Sequence, residues 1–325
     1  MFSKNRDKSV KLFYADSMNG GYMIQEYLTE IGWTRVENRP EAIENCEQLS
    51  LFFAQCKFKA VHTQLNTEKQ LVYQIPNNSI LTNKIGLLSS LRSYAKYLET
   101  QPATTSWHLN YHLFFPQTYR MDLRDEREEF LNSYVDGEVW ISKPTACNRG
   151  IGIYLLHNRE QVEAMKQRLE DREKKRGGIN RPAGRIVSRY ILYPLLLNRR
   201  KFDVRSYVLV QSTPHGHICF FRPGYCRLSI NEYAVSETDL STHLTNQALQ
   251  VKNPNYEEVK EETVWSMEKF NDYINENCQN SNIQTDWVHT SFDTKCKQIA
   301  SHCLAATVRS KIYVQTQFVN FWRND

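Results

Sequence analysis

No stretch of this chain is apolar for long enough to cross a bilayer. The longest apolar run, residues 191–197 (ILYPLLL), falls far short of the ~20 residues a spanning helix requires. The N-terminal MFSKNRDKSV lacks the apolar core of a secretory signal. No CxxC pair occurs: the eight cysteines (Cys46, Cys56, Cys147, Cys219, Cys226, Cys278, Cys296 and Cys303) are scattered over 325 residues. A chain of that size needs no covalent staples, so free thiols in a reducing cytosol are expected. Cys296 and Cys303 lie one heptad apart and read as buried thiols on a helix face rather than metal ligands. Internal repeats and low-complexity tracts are also missing. So is a dense basic face: the net charge of +5 argues against a dedicated duplex-DNA binder. That modest surplus suits an acidic partner or an anionic small molecule. What is present, 41% hydrophobic and 24% charged residues, is the balance of a soluble globular protein of two or three packed units.

Element signals alternate through the N-terminal part. Strands are expected at 11–14, 33–36 and 51–55, with a helix at 22–30 closed by Gly32. After a turn at Pro76-Asn77-Asn78-Ser79, a helix is expected over about 83–98, with Leu87, Leu88, Leu91, Tyr94 and Ala95 on one face. The first domain boundary falls just before it. An irregular loop at 101–106 precedes a charged helix at 124–134, a strand at 138–142 ended by Pro144, and a solvated helix at 158–176. A Gly- and Pro-rich connector, GGINRPAG, leads to a strand at 185–190. Residues 201–222 read as two strands joined through Thr213-Pro214-His215-Gly216. Tyr256, Val259, Thr263, Met267, Phe270 and Ile274 share one helical face that packs on the core. Strands mixed with long helices point to α/β or α+β architecture.

The segment 201–210 (KFDVRSYVLV) carries the strongest chemical signal. Alternate residues of a strand share a face. Phe202, Val204, Val208 and Val210 make one face apolar, and Lys201, Asp203 and Arg205 charge the other. A solvated edge strand would carry the same triplet, so its company decides. Lys143 ends a strand, where α/β proteins commonly bind ligands at the sheet rim. Behind it, Arg149 with Gly150 and Gly152 forms a turn whose amides can approach an anion, although a plain hairpin explains a lone GxG equally well. Arg222 and Arg227 flank Pro223-Gly224. Together Lys143, Arg149, Lys201, Arg205, Arg222 and Arg227 read as one convergent cationic site. Phosphoryl transfer to a carboxylate demands such cations, because two anions must be brought together.

In this order the motifs resemble the tubulin tyrosine ligase-like family of ATP-grasp ligases, over about residues 76–303. The resemblance rests on Lys143-Pro144 with Arg149-Gly150-Ile151-Gly152-Ile153, on Val187-Ser188-Arg189-Tyr190-Ile191 before Pro194-Leu195-Leu196-Leu197, and on Lys201-Phe202-Asp203-Val204-Arg205. Arg222 through Gly224 to Arg227 and His243-Leu244-Thr245-Asn246 complete it. The wording around 201–207 and at 263–268 is closest to a polyglycylase-like branch. The resemblance implies an ATP-grasp-like α/β fold. Its N-terminal α/β domain would span 1–82, with the nucleotide cleft between a central domain at 83–188 and a C-terminal domain at 189–325.

By position, the resemblance makes Lys143 and Lys201 phosphate ligands and places Arg149 and Gly150 at the nucleotide and the incoming protein carboxylate. Main chain of Ser188, Arg189, Tyr190 and Ile191 would meet adenine, and Asp203 the ribose. Arg227 would hold the carboxylate of the added amino acid, and Thr245 with Asn246 would close the nucleotide site. Arg149, Arg205 and Arg222 are the candidate catalytic cations. Lys84 is a further contact or an exposed helix-start lysine.

The implied reaction adds glycine to glutamate side chains of tubulin or another acidic protein, through an acyl phosphate, with ATP and Mg2+. The implied setting is the cytoplasm and cytoskeleton, including the cilium, with no nucleic-acid or membrane partner. Two features depart from the family. Serine replaces the usual hinge glutamine at 188, and nothing after Cys303 matches the strands whose aspartate, glutamate and asparagine hold magnesium. No metal ligand is therefore assigned, and a C-terminally truncated or diverted chain is expected. A catalytically inactive nucleotide- or tubulin-binding protein and a glutamylating ligase are the alternatives.

Overall fold

A computed structural model describes residues 11–17, 20–54, 70–75, 77–101, 108–145, 147–175, 184–213, 216–278 and 283–309. Pro76, Pro214 and His215, nearly all of the 101–106 loop and the 177–184 connector, and the tail from 310 lie outside them. The chain divides into two compact units. The first takes residues 1–78 and 210–218, and the second 79–209 and 219–311.

In the first unit, β1 (Leu12–Ala15), α1 (Gly21–Glu30), β2 (Thr34–Arg35), α2 (Arg39–Glu44), β3 (Leu49–Phe53) and β4 (Leu71–Val72) follow one another. The strands form a sheet of order β2-β1-β3-β4 whose paired strands run parallel. Parallel strands are buried on both faces, which is why they read as short apolar runs without strict alternation. Phe13 and Phe52 are fully buried, on opposite sides of this sheet's two apolar clusters.

The second unit opens with α3 (Ser79–Thr82) and α4 (Lys84–Glu99); Asn83 caps α4 by accepting from the Ile85 amide. Then come β5 (Thr118–Arg120), α5 (Arg124–Ser133), β6 (Trp140–Pro144), β7 (Tyr154–Leu156), α6 (Arg159–Lys175) and β8 (Arg185–Arg189). These strands make an antiparallel sheet of order β5-β8-β6-β7. Phe130 of α5 and Val162, Met165 and Leu169 of α6 pack with Trp140, Leu156 and Val187 in one core. The pairing of β6 runs two residues beyond the expected 142, through Lys143 and Pro144, because Pro144 lies opposite Arg185 and its missing N–H is tolerated at the strand's end.

A second sheet follows: β9 (Leu196–Leu197), β10 (Arg200–Thr213) and β11 (Gly216–Leu228), then α7 (Leu240–His243), α8 (Gln247–Gln250), α9 (Tyr256–Val259), β12 (Val264–Ser266), α10 (Met267–Asn277) and α11 (Asp293–Thr307). Its order is β12-β11-β10-β9. The single helix expected over 256–274 is instead broken. Val264, Trp265 and Ser266 leave the helical path to pair antiparallel with Arg227, Cys226 and Tyr225. Ser266 then caps α10 by accepting from the Lys269 amide, so the break doubles as a helix start. Trp265, Met267, Phe270 and Ile274 still face one core with Leu197 and Cys226, which is why the spacing looked continuous.

The alternation expected along β10 holds only at its beginning. Phe202 and Val204 pack against the α10 core, whereas Tyr207, Val208 and Leu209 are exposed. Elsewhere α11 packs with α4 through Leu91, Tyr94, Ala305 and Ala306. Cys296 and Cys303 sit on α11, half-buried, with thiols that burial pushes up to about 11.

Candidate nucleotide site

Three lysines gather in the second unit. Lys143 stands near the end of β6, Lys201 is the second residue of β10, and Lys84 is the first of α4. Burial lowers the pKa of Lys143, and the charge of Lys84 lowers it further. Burial and then the charge of Lys143 push Lys201 down to about 8. Lys84 is lowered by burial. Its Nζ donates to the carbonyls of Pro144 (3.0 Å) and Cys147 (3.1 Å), which ties the chain leaving β6 back to α4. Among the described residues none of the three makes a salt bridge. Partly buried ammoniums that repel one another and lack a counter-charge are costly unless an anion joins them. The cluster therefore fits a polyphosphate.

Lys201 is held by neutral groups. Its Nζ donates to Tyr190 Oη and lies 4.0 Å from the Tyr190 ring centroid and 5.2 Å from that of Tyr233. Tyr190 Oη is 2.8 Å from Nδ1 of His243, whose Nε2 is 2.8 Å from the Glu237 carbonyl. His243 is buried, and burial lowers its pKa, with the Lys201 charge adding to the effect. Tyr233 meets the His243 ring edge-on at 5.5 Å and donates its hydroxyl to the Leu192 carbonyl at 2.7 Å.

A second group forms beside the first along β10 and β11. The Arg227 guanidinium binds Asp203 in a fork, Nε to Oδ1 at 3.0 Å and Nη2 to Oδ2, and the Thr245 hydroxyl donates to Oδ1. Asp203 is the leading reason that the Arg227 pKa is raised. Sequence spacing put these residues in one site but did not pair them with each other.

The turn after β6 takes the left-handed conformation at Arg149 (φ 58°), Gly150 (79°) and Gly152 (70°). A Cβ placed on Gly150 would lie 3.5 Å from Asn246 Oδ1 and 3.7 Å from Leu244, so this turn meets the 244–246 segment. Leu244 packs there with Ile141, Leu155 and Tyr190. In the hinge, Ser188 is buried and accepts from the Thr118 hydroxyl at 2.9 Å. Arg189 pairs with Glu138 at 2.7 Å, and Ile191 is exposed. The amides of Arg189 and Tyr190 donate to the carbonyls of Gln117 (2.8 Å) and Val139 (2.9 Å).

Arg149 and Arg205 are exposed and join neither hydrogen-bonded group, and Arg222 is exposed on β11. His243 and Tyr233 were not among the expected site residues. His243 heads the His243-Leu244-Thr245-Asn246 motif and was legible there, whereas nothing local marks Tyr233. Among the described residues no three His, Cys, Asp or Glu side chains converge on a point that would hold a metal ion. No metal ligand is assigned among the described residues, and no chemical step is drawn through Mg2+.

Residues 62–321 match the tubulin-tyrosine ligase family. The chain is 40% identical over 308 residues to the protein polyglycylase TTLL10 of Rattus norvegicus, covering 92% of this chain and 44% of that one. The inactive polyglycylase TTLL10 of Homo sapiens is 37% identical over 328 residues, covering 90% and 48%. The probable tubulin polyglutamylase TTLL9 of Mus musculus is 28% identical over 241 residues, covering 66% and 51%. The chain spans about half the length of these curated relatives. Among solved structures, it superposes on the C-terminal domain of K. lactis Pby1, an ATP-grasp enzyme, with TM-score 0.51 at 15% identity, covering 94% of this chain and 78% of that one. The α/β fold is accordingly an ATP-grasp fold.

Proposed function

Since the chain belongs to the tubulin-tyrosine ligase family, we propose that it takes part in ATP-dependent ligation of glycine to glutamate side chains of tubulin or another acidic protein. The single observation that carries this reading is the lysine cluster without a counter-charge. Burial lowers Lys143 and Lys201, and the charges of Lys84 and Lys143 respectively lower them further, as expected where a triphosphate supplies the missing negative charge.

The chain's own residues have these roles. Lys143 and Lys201 hold phosphate oxygens, and Lys84 orders the turn that brings Gly150 to them. Ser188 to Ile191 line the adenine hinge at the junction of a central domain (83–188) and a C-terminal domain (189–325). Because the amides of Arg189 and Tyr190 are committed to Gln117 and Val139, the adenine contacts narrow to Ile191 and the hinge carbonyls. Thr245 and Asn246 close the site. Asp203 faces the ribose while its carboxylate orients Arg227 toward the carboxylate of the added amino acid.

Arg149, Arg205 and Arg222 neutralise the acceptor carboxylate and the charge that develops on transfer. A glutamate carboxylate oxygen attacks the terminal phosphorus and ADP leaves. The glycine nitrogen then attacks the acyl carbon, loses its proton and expels phosphate, leaving an amide.

Two other readings have a specific source. The human relative's name describes an inactive polyglycylase, which favours a nucleotide- or tubulin-binding protein without turnover. The mouse relative's name describes a probable polyglutamylase, which favours glutamate as the added amino acid. One assay separates all three: the chain is incubated with tubulin, ATP, magnesium and labelled glycine or labelled glutamate, and ATP binding is measured in parallel. Glycine incorporation that Lys201→Ala abolishes supports the proposal. Glutamate incorporation makes the branch wrong, and ATP binding without incorporation of either favours the inactive reading. Absence of ATP binding removes the site itself.

A further inference from the structure

We propose that Tyr190 and His243 are positioning residues that hold the Lys201 ammonium at the phosphate site through a single oriented chain of hydrogen bonds. The proposal rests on the nucleotide-site reading above and adds two side chains to it. An ammonium can only donate, so Tyr190 Oη accepts from Lys201 and must direct its own proton elsewhere. Two acceptors are in reach, the Tyr233 hydroxyl oxygen and His243 Nδ1 at 2.8 Å; the chain proposed runs through His243, whose Nδ1 must then be unprotonated. The ring proton consequently sits on Nε2, and there the Glu237 carbonyl, an acceptor only, waits at 2.8 Å. Each link has one donor and one acceptor, so the chain runs in one direction, from the ammonium to the main chain.

The geometry explains why neutral groups do this work. A carboxylate in place of Tyr190 would hold the ammonium but cancel the charge that phosphate requires. A hydroxyl and two aromatic faces at 4.0 and 5.2 Å fix the position and leave the full charge available. Of the three ammonium protons, Tyr190 takes one, and the other two can reach phosphate oxygens. His243 in turn is fixed by burial, by the edge-on Tyr233 ring and by the Tyr190 ring at 5.6 Å.

The test measures ATP binding by calorimetry on the full chain. The single variants are Y190F, H243F, H243N and K201A, and Y190F and H243F are also made in the K201A background. Y190F and H243F are each expected to weaken binding about tenfold, the worth of one charge-assisted hydrogen bond. H243N keeps an acceptor at the Nδ1 position and should restore most of that loss. With Lys201 already alanine, neither change should weaken binding further. Wild-type affinity in Y190F, or losses that simply add to that of K201A, overturns the positioning role.

If the wild type binds no ATP, the nucleotide-site reading has failed rather than this one, and a second measurement still decides. Acetic anhydride labelling of Lys201, read by peptide mass against the exposed Lys260, should rise several-fold (roughly threefold or more) in Y190F and H243F, because removing the acceptor favours the free amine. H243N should stay close to wild type. Unchanged labelling of Lys201 in Y190F and H243F overturns the proposal.

Discussion

With its pKa brought from 10.5 to about 8, Lys201 changes charge within the range of ordinary assays. Between those two values the unfolded chain binds more protons than the folded one, so this residue makes stability rise with pH across that window. In the proposed role of Lys201, ligand binding runs the other way, because phosphate needs the ammonium. Affinity for ATP is expected to weaken as pH is raised from about 7 to about 9. The variant K201R, whose guanidinium stays charged, should flatten that profile in calorimetry. A lysine at position 201 was marked by its alternation with Asp203 and Arg205, but its depressed pKa was not. That shift comes first from burial and then from the charge of Lys143, a residue on another sheet. The pairing of Arg227 with Asp203 was hidden for a similar reason, since antiparallel register, not distance along the chain, brings them face to face.

At the scale of elements, Gly224 of β11 marks a close approach to β10. Gly224 has φ 84°, and a Cβ there would come within 1.7 Å of the Arg205 carbonyl oxygen. Gly224→Ala is therefore expected to cost about 3 kcal/mol or more, from a backbone collision added to left-handed strain. Gly150→Ala meets ordinary contacts at 3.5 and 3.7 Å and should cost only about 1 kcal/mol of strain. Denaturant midpoints of the two variants, compared at unchanged slope, check the difference. The sequence placed Gly150 in a turn and ended the second strand at Arg222, just before Gly224; β11 instead runs on to Leu228, and only the opposed strand distinguishes the two glycines.

The helix pair α4 and α11 provides another prediction. His302 is buried between Tyr94 and Phe114, accepts from the Leu109 amide, and is pushed down to about 4 by burial. Its folded value lies below the unfolded 6.5, so stability falls as pH drops through that window and the loss is complete below about 4. His302→Phe should reduce the acid sensitivity of the thermal midpoint between pH 6.5 and about 4. The apolar spacing of α4 was readable, with Leu88, Leu91 and Tyr94 buried as its face predicted. That α11 would cover it was not, because an amphipathic stripe names a face but no partner.

The whole molecule carries +5, and this surplus belongs to the same proposal as the site. If the acceptor is an acidic protein, its binding should weaken as salt is raised, since exposed charges such as Arg149, Arg205 and Arg222 are screened within about 10 Å at 0.1 M. Fluorescence titration of a glutamate-rich peptide at rising salt tests this; salt-independent affinity would mean that these arginines do not contact it.

Much was determined by the order of residues alone. Apolar spacing and turn residues marked most of the helices and strands, and the grouping of Lys143, Lys201 and the 243–246 motif marked the family. These signals are local, or are patterns of residue type that survive without coordinates. Tertiary structure alone decided that Val264 to Ser266 leave a helical spacing to become β12, because pairing with β11 outweighs a weak local preference. It also decided that Lys84, Lys143 and Lys201 share one uncompensated field, and that Tyr190 and His243 stand behind Lys201. Burial and contact between distant segments set those properties, and neither is written in the spacing of one stretch of chain.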